Sequence, residues 1–276
     1  MLLSKLIDRL RPSINDPDFL SVHEWKRNHT GSKAIGCYPV YTPVEMIHAA
    51  RMLPVIVAGA SGKVRLDHAD GHMQAFVCSI AKSSLDLKLE GKLDCLDGMI
   101  FPSGCEISRA LSYIWAHSEP DKPVFYIHFP LNFHSPAAED YLFNELIRLK
   151  EFIEKISGNK ITNDSLNESF RIYNKRAELL DKLDGIRNRY PECLKASEFY
   201  ILRLAGKAIP PEEHIEILDE AIKVIDINTP RYKPRFTVAL TGAFCELPPV
   251  AMLETMENEG VAIISDDALL GMRWWT

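Results

Sequence analysis

The sequence GMIFPSGCE, at residues Gly98–Glu106, is the clearest indication of how this chain folds. Its first four residues are apolar or small and predict a buried β-strand, which Pro102 ends. A short turn leads to Cys105, and the residues from there to Trp115 show apolar side chains at helical spacing. A strand, a turn and a helix in this order are typical of an α/β fold, in which such units build a parallel sheet.

The same alternation continues on both sides of this unit. Apolar runs predict further strands at Ala34–Tyr41, Leu53–Val57 and Val124–Phe129, and helical periods predict helices at Pro43–Arg51 and Gln74–Leu89. The alternation predicts a Rossmann-like, mostly parallel sheet with helices on both faces.

The first of these helices has a recognisable start. Thr42 is placed to be its N-cap, Pro43 to be its first residue, and Glu45 to be an acidic residue in its first turn. We therefore expect Thr42 to cap the helix.

Three segments of different character divide the chain. Residues 1–135 hold a helical leader and the first α/β domain, and residues 136–230 show amphipathic periods that predict a helical layer. Residues 231–276 begin a second α/β domain, with strands at Phe236–Leu240 and Val261–Ile264 around one helix. Two strands and one helix do not cover a sheet, so we expect a truncated domain or one that a partner completes.

Composition narrows the classes of function. The chain has 276 residues, 46% of them hydrophobic and 25% charged, which predicts a soluble globular protein. Its formal charge of −6 lacks the excess of Lys and Arg that nucleic-acid binding requires. Apolar runs fall short of the roughly 20 residues that span a bilayer, and charges interrupt the N-terminal residues too early for a signal peptide. We expect a cytoplasmic protein with reduced or ligating cysteines, and neither a nucleic acid nor a membrane as partner.

Three of the six cysteines lie where an apolar run gives way to Gly, Ser or Pro. Cys78 lies in FVCS, Cys105 in FPSGCE and Cys245 in GAFCELPP. Because strand ends gather at one edge of an α/β sheet, these thiols predict a metal pocket there. A single cysteine is more often a buried structural thiol than a ligand. The other cysteines are interpreted in that way: Cys37, Cys95 and Cys193.

Four motifs along the chain resemble those of a known family. They lie at Gly36–Val55, Val77–Leu87, Asp97–Glu106 and Gly242–Pro249. Their order and spacing resemble the benzoyl-CoA reductase / 2-hydroxyacyl-CoA dehydratase family of D-component type, and most of all the branch that contains the C subunit of benzoyl-CoA reductase. Dehydratases of the family have a cluster cysteine near the position of Pro39, so the proline here favours the reductase branch.

The resemblance implies an iron–sulfur subunit of an oxygen-sensitive, ATP-dependent reductase that delivers low-potential electrons to an aromatic acyl-CoA. Cys78, Cys105 and Cys245 align with the family's ligands of a [4Fe-4S] cluster, and Cys37 remains a minor candidate beside the first motif. The implied partners are a homologous cluster-bearing subunit and ATPase or activator subunits with their own cluster. Those partner subunits use the ATP and the reduced ferredoxin.

Two alternatives to this function stay open. In the family's dehydratases, a low-potential electron eliminates water from a 2-hydroxyacyl-CoA through a ketyl radical. The chain could also be a non-catalytic subunit that carries a cluster for electron transfer or supports a larger complex. A catalytic subunit should have a cleft beside the cluster that excludes water, whereas an electron carrier should bury its ligands.

The chain also departs from the family pattern in two places. Members of the family continue well beyond the strand that ends at Asp266, so we expect activity to depend on a partner or on further chain. The family commonly has glycine where this chain has Arg51, at the end of a predicted helix.

A few polar residues are weaker candidates for the site. His128 and His134 flank a strand end and could donate protons, although structural histidines are the simpler interpretation. Glu106 and Glu246 each follow a presumed ligand and could relay protons or serve as helix N-terminal carboxylates. The pair Asp266–Asp267 could bind a cation, but capping of a following helix is the more common role.

Overall fold

The computed structural model describes residues 2–14, 16–60, 65–242 and 248–266. In chain order its elements are α1 (Leu2–Ile14), α2 (Leu20–Asn28), β1 (Ala34–Cys37), α3 (Val44–Ala49), β2 (Leu53–Ile56), α4 (Ser79–Leu89), β3 (Gly98–Pro102), α5 (Glu106–Ser118), β4 (Val124–Ile127), α6 (Ala138–Ser157), α7 (Asn163–Arg189), α8 (Ala196–Ala205), α9 (Pro211–Val224), β5 (Phe236–Leu240), α10 (Val250–Asn258) and β6 (Val261–Asp266). A short 3-10 turn at Ala69–Gly71 precedes α4.

The described residues form two compact units. One unit contains those between positions 17 and 170, and the other combines those of positions 1–16 with those of positions 171–276. This grouping cuts the chain at other positions than the predicted segments 1–135, 136–230 and 231–276, which stay a prediction about domain organisation.

The unit of residues 17–170 is built on a four-stranded parallel sheet in the order β2-β1-β3-β4. Helix α3 packs against β2 and α6, while α4 and α5 pack against each other and α5 against β3. All residues of β1 and β3 are buried, as expected for central strands between two helical layers. The α/β fold with a doubly covered parallel sheet is therefore confirmed.

The order of the strands reverses between β1 and β3. From β1 the chain first adds β2 on one side and then crosses back to add β3 and β4 on the other. In open α/β sheets, sites form at the carboxyl ends of the strands beside such a reversal. Side chains pack closely against Gly36 of β1, so a Cβ at this position would collide with the Met99 sulfur.

Asp97 stabilises the opposite, amino-terminal edge of this sheet. Its carboxylate accepts a hydrogen bond from the backbone N–H of Ala34 at 2.8 Å and forms ion pairs with Lys26 at 2.6 Å and Lys33 at 3.1 Å. Burial of the Asp97 carboxyl opposes ionisation, but these three donors outweigh it and lower the pKa of Asp97. The motif residue before β3 thus connects that strand to β1 and α2.

The second unit has a mainly helical core. Helix α1 buries its apolar face, which includes Leu6 and Leu10, against α8 and α9. Strands β5 and β6 pair in parallel, with α10 packed against β6 and α8. The centre of this core includes Leu183, Phe199 and Leu218, each fully buried.

Several predicted boundaries are wrong. The helix expected from Gln74 begins at Ser79, so Cys78 precedes it as the N-cap instead of lying within it. The N-cap of α3 is Pro43, whose side chain makes no capping bond, and Thr42 donates to the carbonyl of Tyr38 at 3.4 Å instead.

Among the described residues, no helix has both the length and the apolar character to cross a membrane.

Candidate functional site

Cys105 lies just beyond the carboxyl end of β3, at the N-cap of α5. Its extended backbone turns the sulfur back over the helix, where Sγ accepts a hydrogen bond from the Ser108 N–H at 3.4 Å. The hydroxyl of Ser108 in turn donates to the carbonyl of Pro102 at 2.7 Å and fixes the turn. The Cys105 side chain is exposed. The turn after β3 therefore leaves the Cys105 sulfur accessible at the N-terminus of α5.

Cys78 occupies the matching position on the neighbouring helix. It is the N-cap of α4, and its carbonyl accepts from the N–H groups of Ala81 at 3.2 Å and Lys82 at 3.3 Å. Within the described residues its sulfur makes no capping hydrogen bond, and the side chain is half-buried. The Cys78 sulfur is therefore not committed to holding the helix.

The topology places Cys78 and Cys105 at the same edge of the sheet. Helix α4 leads from β2 to β3, and α5 leads from β3 to β4, all in a parallel sheet. A helix that connects parallel strands runs back from their carboxyl ends, so both helix N-termini lie at that edge. The predicted third ligand, Cys245, lies outside the described residues.

The described thiols fit a ligand role unequally. Among the residues that the structure describes, no group of three His, Cys, Asp or Glu side chains is arranged to hold a metal ion. Cys78 and Cys105 nevertheless have the chemistry that iron requires, because they are accessible sulfurs on helix N-termini at one sheet edge. These two residues fit the expected group, and the complete ligand set stays a prediction.

The other cysteines are enclosed by the protein. Cys37, Cys95 and Cys193 are all buried. Burial raises the pKa of each of these thiols, most strongly that of Cys37, which is fully buried at the end of β1. The thiols of Cys37 and Cys193 donate to the backbone carbonyls of Ile35 and Ile227. Their environment agrees with the interpretation as structural thiols.

A cleft of about 710 Å³ opens beside Cys105 at the carboxyl ends of β3 and β4. Tyr126, Phe129 and Tyr141 supply its aromatic surface. The backbone N–H of Phe129 donates to the Ser103 hydroxyl at 2.7 Å, which ties the turn after β3 to the segment after β4. This volume falls within the range of about 300–1,000 Å³ that is typical of small-molecule sites.

The polar lining of the cleft includes a charged pair. In the first turn of α5, the guanidinium of Arg109 lies 2.5 Å from the carboxylate of Glu106, and both side chains are exposed. Burial raises the pKa of the Tyr126 phenol, so it keeps its proton at neutral pH and can donate a hydrogen bond. Charged, phenolic and aromatic groups therefore meet at the exposed Cys105.

His128 also lines the cleft. Its ring is exposed and meets the Tyr126 ring edge-on at 4.6 Å. Its backbone N–H donates to the buried carboxylate of Glu145 at 3.0 Å, which holds the chain at the end of β4. His128, Glu106 and Cys105 thus line the same cleft, and their roles in proton transfer stay a prediction.

The remaining candidates are placed elsewhere or lie outside the described residues. His134 is exposed, and its backbone N–H bonds to the Asn132 side chain at 3.1 Å. Asp266 is the last residue of β6, and its buried carboxylate pairs with Arg187 at 2.6 Å, which identifies a structural ion pair. Glu246 and Asp267 lie outside the described residues.

The cleft residues that are not among the candidates named from the sequence include Arg109, Tyr126 and Tyr141. Arg109 carries a usable signal, because it follows Cys105 by four residues and so lies on the same face of a helix that begins there. The two tyrosines lie on β4 and α6, and nothing in their local pattern separates them from the other aromatic residues of the chain.

Comparison with known proteins identifies related chains. The family model for the 2-hydroxyglutaryl-CoA dehydratase D-component matches residues 39–276. The C subunit of benzoyl-CoA reductase of Thauera aromatica is 34% identical over 99% of this chain and 71% of its own length. The beta subunit of (R)-2-hydroxyglutaryl-CoA dehydratase of Acidaminococcus fermentans is 29% identical over 97% of this chain and 69% of its own length. The beta subunit of lactoyl-CoA dehydratase of Anaerotignum propionicum is 30% identical over 86% of this chain and 62% of its own length.

Proposed function

We propose a narrower role for this chain, which belongs to the 2-hydroxyglutaryl-CoA dehydratase D-component family and is an enzyme subunit of the reductase and dehydratase type. It is the iron–sulfur subunit of an ATP-dependent, oxygen-sensitive CoA-thioester reductase of the benzoyl-CoA reductase type. The similarity to the C subunit of benzoyl-CoA reductase along 99% of the chain supports the reductase branch.

Cys78, Cys105 and Cys245 are the proposed ligands of a [4Fe-4S] cluster. When bound, such a cluster supplies low-potential electrons one at a time. The proposal is supported by the shared sheet edge of Cys78 and Cys105, their accessibility and their helix N-termini.

The single observation that carries the catalytic role is the cleft beside Cys105. An electron carrier needs only a docking face, whereas this exposed cysteine shares a cavity with aromatic and charged side chains. Tyr126, Phe129 and Tyr141 can pack on an aromatic acyl group and exclude water from it. This arrangement favours the enzyme over a non-catalytic cluster carrier.

The polar residues of the cleft have distinct proposed tasks. His128 and the phenol of Tyr126 can hold protons at the end of β4, and Glu106 is a third proton-holding group at the start of α5. Arg109 can orient a substrate oxygen through its guanidinium while it remains paired with Glu106. These side chains position and protonate the substrate, and the redox chemistry belongs to the cofactor.

The proposal includes partners and a compartment. We place the chain in the cytoplasm beside a homologous cluster-bearing subunit, with ATPase or activator subunits that carry their own cluster and use ATP and reduced ferredoxin. The relatives are themselves named as subunits of larger enzymes, which supports assembly with other chains.

A 2-hydroxyacyl-CoA dehydratase is the second candidate. The family model and two of these relatives are named for dehydratases, which favours this reaction as the alternative. The same cleft would then hold a hydroxyacyl group, and its proton-holding residues would assist loss of the hydroxyl.

Anaerobic purification with the partner subunits tests the ligand assignment. Iron and sulfide content and the EPR spectrum would be compared for the wild type and for Cys78→Ala, Cys105→Ala and Cys245→Ala. Each substitution should lower the iron content or change the spectrum, while Cys95→Ala, at a buried thiol, should leave both unchanged. An intact cluster in one of the three variants would reject that ligand.

The substrate branch is tested on the same preparation. Benzoyl-CoA should change the EPR signal of the reduced protein if it is the reductase, and a 2-hydroxyacyl-CoA should leave the signal unchanged. The reverse result would assign the chain to the dehydratases.

A further inference from the structure

Helix α4 turns three buried polar side chains toward the segment that precedes Cys78. They are Lys82, Ser83 and Asp86, with exposures of 5%, 7% and 0%. Burial of such groups is unfavourable unless each finds a specific partner, so their contacts identify what they hold in place. All three have hydrogen-bond partners between Ala60 and Ala75.

Asp86 holds the 3-10 turn of this segment. One of its carboxylate oxygens accepts from the backbone N–H of His68 at 2.9 Å, and both oxygens lie 3.3 Å from the N–H of Ala69. Ala69 is itself fully buried under this contact. The carboxylate therefore takes up backbone donors at the start of the turn, much as a capping residue does.

Lys82 holds the same segment at two further points. Its ammonium pairs with the Asp70 carboxylate at 2.6 Å and donates to the carbonyl of Ala75 at 3.4 Å. Ala75 lies only three residues before Cys78. The Ser83 hydroxyl adds an acceptor for the N–H of Ala60 at 3.2 Å.

We propose that Lys82 and Asp86 are positioning residues that hold residues 65–77 against α4 and thereby fix the place of the Cys78 sulfur. Cys78 itself lacks a capping bond through its sulfur within the described residues, so its position depends on the segment before it and the helix after it. The helix side is secured by backbone bonds from Ala81 and Lys82 to the Cys78 carbonyl. Lys82 and Asp86 secure the other side.

Their importance for a cluster rests on the proposed role of Cys78 as a ligand. A ligand that must keep its place while the metal centre changes charge benefits from rigid support by neighbouring side chains. The positioning itself does not depend on that role and can be measured on the metal-free chain.

The experiment measures the alkylation rate of each cysteine in the metal-free, reduced protein by peptide mass spectrometry. In Lys82→Met and in Asp86→Asn, the loss of a charged hydrogen-bonding group should raise the alkylation rate of Cys78 about tenfold. The rate at Cys105 should stay within about twofold, because its turn is held by Ser108 instead. Amide exchange in residues 65–77 should rise in parallel.

Lys88→Met is the matched control. Lys88 lies on the same helix with 9% exposure, but its ammonium pairs with Glu119 at 2.9 Å and lies 5.6 Å from the centre of the Trp115 ring. Its loss removes a comparably buried charge without touching the segment before Cys78. The alkylation rate of Cys78 should therefore stay near the wild-type value.

The outcomes separate the positioning proposal from the ligand proposal. An unchanged Cys78 rate in Lys82→Met and Asp86→Asn, or an equal rise in Lys88→Met, would overturn the positioning role. After reconstitution with iron and sulfide, Lys82→Met should lose iron to a chelator faster than the wild type. If Cys78→Ala retains a normal cluster while the alkylation result holds, the ligand assignment fails and the positioning role stands.

Discussion

Replacement of Arg51 by glycine should stabilise the unit of residues 17–170. Arg51 directly follows Ala50, the C-cap of α3, and has φ of 60°, in the left-handed region. Its N–H donates to the carbonyl of His48 at 2.8 Å, so the chain reversal is held by a backbone hydrogen bond that glycine would keep. The arginine side chain is exposed, and its removal leaves no cavity.

The expected increase in stability follows from two opposing contributions. The left-handed conformation costs a residue with a Cβ roughly 1–2 kcal/mol, and glycine adopts it freely. Glycine also has more conformational freedom in the unfolded chain, which offsets roughly 0.5–1 kcal/mol of this gain in stability. The net increase in the free energy of unfolding should be about 0.5–1 kcal/mol, or about 1–4 °C in Tm for a unit of this size.

Denaturant titrations of the wild type, Arg51→Gly and Arg51→Ala would check this value. Alanine removes the charge and the long side chain but keeps the Cβ, so its unfolding free energy should stay close to that of arginine. Equal stabilisation by alanine and glycine would show that the increase in stability comes from loss of the arginine side chain and not from relief of the backbone conformation. A loss of stability in Arg51→Gly would refute the reasoning.

Three other predictions concern buried polar contacts. Asp97→Asn should lower the free energy of unfolding at pH 7 by about 1–3 kcal/mol. The Asp97 pKa is lowered in the folded state, so the contribution of Asp97 to stability is present above its ordinary pKa of 3.8 and is lost on acidification. The free energies of unfolding at pH 7 and pH 3 should therefore differ less in the variant than in the wild type. Burial raises the pKa of Glu257, which accepts from the N–H of Ser197 at 2.9 Å and from its hydroxyl at 2.5 Å. The free energy of unfolding should fall as the pH rises above 4.5 toward the folded pKa of Glu257. Glu257→Gln should remove this decrease from a plot of unfolding free energy against pH. An unchanged decrease in the variant would assign the pH dependence to another group. Tyr200→Phe removes the hydrogen bond from the buried phenol to the Pro248 carbonyl at 2.9 Å, so it should cost about 0.5–1.5 kcal/mol. It should also speed exchange of the Val250 amide, the first N–H after Pro248 and Pro249, and normal exchange there would count against this anchoring.

The sequence predicts the sheet well because its central strands, β1 and β3, are fully buried. A parallel strand between two helical layers is a continuous apolar run, and β3 shows that pattern from Gly98 to Pro102. The start of α4 is harder to predict, because residues 74–77 combine apolar and polar side chains as a helix would. Their conformation is set instead by tertiary contacts, such as the bond from Lys82 to the Ala75 carbonyl.

The candidate site is only partly visible in the sequence for a similar reason. Cys105 and Glu106 could be found because they follow a strand after a short, recognisable turn. Tyr126 and Tyr141 reach the cleft from β4 and α6, and the sequence contains no local signal of that proximity. The pair of Arg187 and Asp266 likewise joins residues that are 79 positions apart.

The contrast between Cys37 and Cys105 indicates how this fold separates inert thiols from accessible ones at one sheet edge. Cys37 is the last residue of β1, inside the ladder, where it is fully buried and its pKa is raised by burial. Cys105 follows β3 after a further Ser-Gly turn, and this extra length carries the sulfur past the layer of strand side chains to a helix N-terminus. Cys78 reaches the equivalent place on α4 after a long connection from β2. In an α/β chain, a cysteine at the N-cap of a helix is therefore a better ligand candidate than one at the end of the strand itself, because the strand position is already enclosed by both helical layers.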